Sequence, residues 1–261
     1  MSSAPFRAKK RLGQHFLVDE NLLGVIGRLA GLGAADNVLE IGSGLGVLTA
    51  YLAERVAHVD TVELDSGLEP HLRERFAGNE NVSLHFGDAL ALDLAALAPR
   101  ATKLVANLPY NIATPLIVES LTRLPRIELW CVMVQREPAD RLFASPGTKA
   151  YGAVSVLVQL AAKRTGFHAV SREVFRPRPR VESALVAFAR KPMPENFLQI
   201  KRVVTAAFAY RRKTLANSLA IAGLAPRELA EAGLAQIDRD PRCRAEALAP
   251  AEFVALAKAL S

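Results

Sequence analysis

The chain has 261 residues, 51% hydrophobic and 23% charged, with 33 Lys and Arg against 26 Asp and Glu for a formal net charge of +7. That composition excludes a disordered tail protein or a fibrous one, and the length allows one large domain or a typical one with a smaller companion. With no apolar run near the ~18 to 20 residues that span a bilayer, no signal-like stretch before Phe16, and Cys131 and Cys243 in no CxxC pair, a cytoplasmic monomer without membrane, disulfide or metal is expected.

The charge is unevenly placed: residues 1–35 carry net +3, 36–135 net −6, 136–191 net +7 and 192–261 net +3. The basic flanks suit a polyanion, and the acidic middle suits a ligand that tolerates or prefers negative charge.

In chain order, Val38–Ile41 reads as a strand running into the glycine turn 42–46, followed by a helix from Val47 to about Ala57. A strand near His58–Val62, a helix near Ser66–Ala77, strands at Val82–Phe86 and Lys103–Ala106, a helix near Pro115–Arg123 and a strand-rich run Ile127–Val134 follow. This alternation predicts βαβ units and a mostly parallel sheet with its ligand site at the strands' C-terminal ends. Beyond Gln135, helices at 136–144 and 153–162 precede strands at 164–170 and 184–190, which the short connection between them predicts to be an antiparallel hairpin closing the sheet. Lys191-Pro192-Met193-Pro194 reads as a linker. The alanine- and leucine-rich remainder reads as a small helical domain, so the predicted domains are 1–191 and 192–261.

The motifs fall at the predicted strand ends. Glu40-x-Gly42-x-Gly44-x-Gly46 has the spacing GxGxG, which lets backbone approach a ligand closely but is not the dinucleotide GxGxxG; alone it also suits a structural tight turn. Glu63 ends the second strand, where a carboxylate takes ribose hydroxyls, and Asp88 ends the third, where it accepts an adenine amine. Such a set implies an adenosine-bearing cofactor without phosphates, which fits the cationic S-adenosylmethionine. Asn107-Leu108-Pro109-Tyr110 ends the fourth strand. The Asn oxygen and the next backbone carbonyl can hold both N–H bonds of an adenine amine, and Tyr110 offers a stacking face.

With these residues in view the chain resembles the small-subunit ribosomal RNA adenine dimethyltransferases, the KsgA family. The matching stretches are Gly13 to Leu17, Leu39 to Gly46, Glu63 to Asp65, Gly87 to Leu90, Asn107 to Ile112, Phe175 to Ser183 and Ala206 to Leu215. The resemblance implies an α/β fold, a Rossmann-like class I methyltransferase sheet with an antiparallel strand at one end and a small C-terminal helical domain. It implies N6,N6-dimethylation of two adjacent adenosines near the 3′ end of small-subunit ribosomal RNA, with the small ribosomal subunit as partner. Gln14, His15, Leu17, Gly42, Gly44, Glu63, Asp88, Ala89 and Asn107 are then cofactor residues. Asn107, Leu108, Pro109 and Tyr110 are catalytic, with Phe175 stacking on the target base opposite Tyr110. Lys9, Lys10, Arg11, Arg176, Arg178, Arg180, Arg211, Arg212 and Lys213 are RNA contacts. His15 and Ser43 depart from the family's commoner Asn and Pro. Rival readings are the large-subunit methyltransferase of macrolide resistance, an assembly factor acting mainly by binding, and a nicotinamide oxidoreductase.

Overall fold

The computed structural model describes Lys9 and residues 13–260. They group into two compact units, one formed by residues up to Ala139 with Arg164–Arg190, the other by Asp140–Lys163 with the residues from Lys191 onward.

The first unit begins with β1 (Phe16–Leu17) and α1 (Glu20–Ala30), which the sequence expectations left unassigned. Asp19 caps α1 by accepting from the Asn21 amide, and Gly31, at φ 54°, ends it in the left-handed region that glycine adopts without strain. There follow β2 (Asn37–Ile41), α2 (Val47–Ala53), β3 (His58–Glu63), α3 (Glu69–Arg75), β4 (Val82–Phe86), α4 (Leu94–Leu97), β5 (Lys103–Asn107), α5 (Ala113–Arg123) and β6 (Leu129–Gln135). The predicted helix at 66–77 is split into a 3-10 turn, Ser66–Leu68, and α3, because the Asp65 side chain accepts from the Gly67 amide and Pro70 restarts the helix.

After α6 (Arg136–Leu142) and α7 (Ala153–Ala161) come β7 (Ala162–Val170), β8 (Phe175–Arg176) and β9 (Ser183–Arg190). The seven-stranded sheet has the order β4-β3-β2-β5-β6-β9-β7, parallel from β4 to β6. β7 and β9 are neighbours, as the short connection predicts, but β9 enters between β6 and β7 and runs antiparallel to β6 from Leu129 to Gln135. The segment between β7 and β9 contributes β8, which pairs antiparallel with β1, Leu17 opposite Phe175. Sequence periodicity carries no signal for so short a pairing.

The central strands read as apolar runs because both faces are covered. Leu22, Leu23 and Ile26 of α1 pack with Val38, Val105, Cys131, Met133, Leu185 and Ala187 on one face. On the other, Trp130 stacks on Phe188 with ring centroids 5.2 Å apart and donates to Ser120 Oγ at 2.9 Å. Arg190 lies over Trp130 and caps the end of α5 by donating to the Leu121, Leu124 and Ile127 carbonyls.

The second unit joins α7 to α8 (Phe197–Phe208), α9 (Leu215–Ile221), α10 (Arg227–Gln236) and α11 (Pro250–Ala259). The 191/192 linker coincides with a unit boundary, but residues 140–163, assigned from the sequence to the sheet domain, group with the C-terminal helices. α7 is apolar nearly all round, with Val156, Leu157, Val158 and Leu160 buried, and it packs against α8 and α11. Tyr151 joins them, donating to the Leu248 carbonyl at 2.8 Å and meeting Phe208 edge-on. No helix of the described residues is long and apolar enough to cross a membrane.

Candidate active site

The loops after β2, β3, β4 and β5 open together where the strand order reverses around β2, the place where parallel α/β sheets bind ligands. With the segment Gly13–Leu17 as a lip they line an open cleft of about 960 Å³. Two glycines make the floor. Gly42 has φ 82°, and a Cβ there would lie 3.3 Å from the Pro109 ring; Gly44 has φ 55°, and a Cβ would meet Phe16 at 3.1 Å. Only glycine gives both the conformation and the clearance.

Glu63 ends β3 inside the cleft, 6% exposed. One carboxylate oxygen accepts from the Gly44 amide and the other from the Asp65 amide, both at 2.8 Å. Burial raises its pKa, and those two amides oppose the rise. Glu40, at the end of β2, is fully buried and also lines the cleft. Thr49 donates to its Oε2 at 2.6 Å, while Oε1 and the neighbouring Ser43 Oγ have no protein partner among the described residues. Burial pushes the Glu40 carboxyl up to about 7, against the lowering effect of the Thr49 hydroxyl. Asp88 follows β4, is exposed, and its Oδ1 accepts from the Leu90 amide at 2.9 Å; Ala89 beside it is buried in the cleft wall.

This donor and acceptor set fits a cationic, adenosine-bearing ligand. Two carboxyl groups deep in the cleft oppose a phosphate, whereas Glu63 and the second Asp88 oxygen are acceptors of the kind that ribose hydroxyls and an exocyclic amine need.

Asn107 ends β5, and the amide of its neighbour Leu108 donates a hydrogen bond to the Met133 carbonyl. Its Nδ2 donates to the His15 carbonyl at 3.1 Å, and its Oδ1 has no protein partner among the described residues. Tyr110 is fixed by a 2.7 Å hydrogen bond with Ser183 at the start of β9. Leu108, Pro109 and Tyr110 all line the cleft.

The lip is held by a residue to which sequence reasoning gave no role. Asp65 is 3% exposed; its Oδ2 accepts from Gln14 Nε2 at 3.0 Å and its Oδ1 from Lys9 Nζ at 2.5 Å. Lys9, Gln14 and Gly67 together hold its carboxyl below the usual carboxylate range despite burial. Lys9, expected as an RNA contact, is therefore committed to this ion pair, and Gln14 turns its amide to Asp65. Asp65→Asn keeps the shape and removes the charge; since hydrogen bonds to charged groups contribute ~1.5 to 3 kcal/mol and Lys9 is partly solvated, amide exchange over residues 14–17 should speed up about tenfold. Unchanged exchange would show that the pairing of β1 with β8 holds the lip alone.

Phe175 requires a larger correction. It is fully buried in the core with Leu17, Leu23 and Ile26 and does not line the cleft. Its strand brings the following backbone, not its ring, to the lip. The ring that stands over Tyr110 is that of His15, stacked with centroids 5.3 Å apart and planes 30° off parallel. Arg176, Arg178 and Arg180 are exposed as expected, though Arg178 pairs with Glu173 and Arg176 donates to the Glu173 and Phe175 carbonyls. Arg211, Arg212 and Lys213 are exposed on the turn between α8 and α9. Lys10 and Arg11 lie outside the described residues.

The ribosomal RNA adenine dimethylase family matches residues 5–260. "Ribosomal RNA small subunit methyltransferase A" of Rubrobacter xylanophilus is 48% identical over 98% of this chain and 96% of its own, and the protein of that name from Pelotomaculum thermopropionicum is 44% identical over 95% and 90%. Among solved structures, a dimethyladenosine transferase from Plasmodium falciparum covers 93% of this chain and 96% of its own with a TM-score of 0.78 at 26% identity. The 23S rRNA methyltransferase ErmE covers 94% and 99% with a TM-score of 0.68 at 25%. The chain belongs to the ribosomal RNA adenine dimethylase family.

Proposed function

We propose that the chain dimethylates the N6 amino groups of two adjacent adenosines near the 3′ end of small-subunit ribosomal RNA, using S-adenosylmethionine. The observation that carries this reading is the meeting, in one cleft, of the Glu63 carboxylate, the Asn107 carboxamide and the Tyr110 ring. Full-length similarity to proteins named as small-subunit methyltransferases favours that substrate over the large-subunit alternative.

When bound, S-adenosylmethionine supplies a methyl group made electrophilic by its sulfonium. Glu63 would accept from its ribose hydroxyls, Asp88 from its adenine amine, and the glycine turn with the lip residues Gln14, His15 and Leu17 would enclose its methionine end. Against it, the Asn107 Oδ1 and the Leu108 carbonyl accept the two N–H bonds of the target amine, while Tyr110 stacks on its base. Holding both hydrogens turns the nitrogen lone pair out of conjugation with the ring and stabilises the positive charge that develops on nitrogen. Transfer would join that methyl to nitrogen at the expense of its bond to sulfur, and the surplus proton would leave to water once the nitrogen is cationic. No strong base is required; in the second round the monomethylated amine offers one N–H to these acceptors, and the same displacement gives the dimethylated product.

In this reading the helical unit supplies further RNA contacts. Replacing Arg211, Arg212 and Lys213 by Ala should lower the slope of log K against log salt by about 2, because each phosphate contact contributes ~0.7 to 0.9. An unchanged slope would remove these residues from the interface. The decisive experiment offers labelled S-adenosylmethionine with 30S particles, 50S particles or naked RNA and identifies the modified nucleoside. Label as N6,N6-dimethyladenosine in small-subunit RNA is expected; label confined to 50S material would overturn the assignment.

A further inference from the structure

The imidazole of His15 covers a face of Tyr110 at a centroid separation of 5.3 Å. A base sandwiched between the two rings needs roughly two ring spacings of about 3.4 Å, the separation of stacked bases. The observed gap is too small for that. One partner of the pair is fixed: the Tyr110 hydroxyl is tied to Ser183, at the start of a sheet strand. The other is held from the solvent side. His15 is half-exposed, and its Nδ1 lies 2.7 Å from the carbonyl of Pro177, an exposed residue. A carbonyl only accepts, so Nδ1 carries the proton and the ring is pinned as a donor.

We propose that His15 is a place-holder for the target base: its ring occupies the stacking face of Tyr110 until an adenine displaces it, breaking the Nδ1–H bond to Pro177. This rests on the reading of Tyr110 as the base platform and adds a specificity element to it. An apolar or aromatic platform left bare would hold water or collapse against the lip, whereas a ring of similar thickness keeps the slot formed. Entry is then selective, because only a planar group that stacks better than imidazole exchanges with it. His15 also sets the lip's register at this point, since its carbonyl takes the Asn107 amide; that backbone bond survives substitution of the ring.

The test is a fluorescence titration of the full chain with an RNA hairpin carrying 2-aminopurine at one loop adenosine, stacking being read as quenching. Relative to the unsubstituted chain, His15→Ala should bind with a dissociation constant about tenfold lower, because the competing stack and hydrogen bond are gone. His15→Asn, too short to cover the Tyr110 ring, should behave likewise and guards against a folding defect in the first variant. Equal or weaker binding by both variants would overturn the place-holder role and leave the platform standing. Quenching that persists in Tyr110→Ala, or fails in the unsubstituted chain, would instead remove the platform on which the proposal rests. Long-range proton–nitrogen NMR of the histidines should find His15 protonated at Nδ1 without RNA; protonation at Nε2 alone would overturn the pin.

Discussion

Asn107→Ala should lower kcat for methyl transfer by about 10² to 10³, the effect of removing one preorganised hydrogen-bonding group aimed at developing charge. Asn107 stands at the end of β5, its Nδ2 held by the His15 carbonyl and its Oδ1 without a protein partner among the described residues. Truncation removes the acceptor that orients the target amine. It also removes a tie to the lip. The two effects separate kinetically: a loosened lip raises the KM for cofactor, as Asp65→Asn should, whereas loss of the amine acceptor lowers kcat. Single-turnover rates with saturating cofactor isolate the second. A variant that turned over within tenfold of the parent, with its far-ultraviolet circular dichroism unchanged, would show that the base is oriented by the Leu108 carbonyl and stacking alone.

The parts of this site legible in the sequence are those whose chemistry is local. Gly42 and Gly44 are demanded by positive φ and close approach within one turn, and Glu63, Asp88 and Asn107 each end a strand whose apolar run marks where it stops. The Phe175 motif looks the same in sequence whether the ring faces a ligand or the core. What decides the matter is the pairing of Leu17 with Phe175, between segments more than 150 residues apart, which turns the ring inward. The same pairing brings Pro177 to His15, which is why the stack on Tyr110 could not be anticipated. Asp65 escaped notice for a similar reason. Beside Glu63 it reads as a solvated turn acid, and only the return of the N-terminal segment gives it Gln14 and Lys9. Residues 140–163 read in sequence with the sheet domain but group with the C-terminal helices, because apolar helical periodicity marks a buried face without naming what buries it.

Glu40 gives the remaining large expectation. Its carboxyl is fully buried with a pKa of about 7 against an ordinary 4.5, burial being the main cause. A raised carboxyl pKa means that between about pH 4.5 and 7 the folded chain keeps a proton that the unfolded chain has lost, so stability from this group is present at low pH and declines as pH rises through that window. At about 1.4 kcal/mol per pKa unit the decline amounts to about 3 kcal/mol, complete above pH 7. Glu40→Gln keeps the shape and the acceptor for the Thr49 hydroxyl but cannot ionise. Its stability in urea should therefore match the parent near pH 5 and exceed it by about 3 kcal/mol near pH 8. Titrating groups other than Glu63, whose charge acts on Glu40, cancel in that difference. The reason to keep an acid at such a cost lies in the ligand: a sulfonium in the same cleft favours the ionised form, so cofactor affinity in the parent should rise with pH up to about 7 and binding below that pH should release a proton. Calorimetry in buffers of different ionisation enthalpy reads the release directly, and in Glu40→Gln it should vanish together with the pH dependence and part of the affinity. If parent and variant instead run parallel in both stability and binding from pH 5 to 8, Glu40 is ionised throughout, and the acid that matches the cofactor's charge is Glu63 alone.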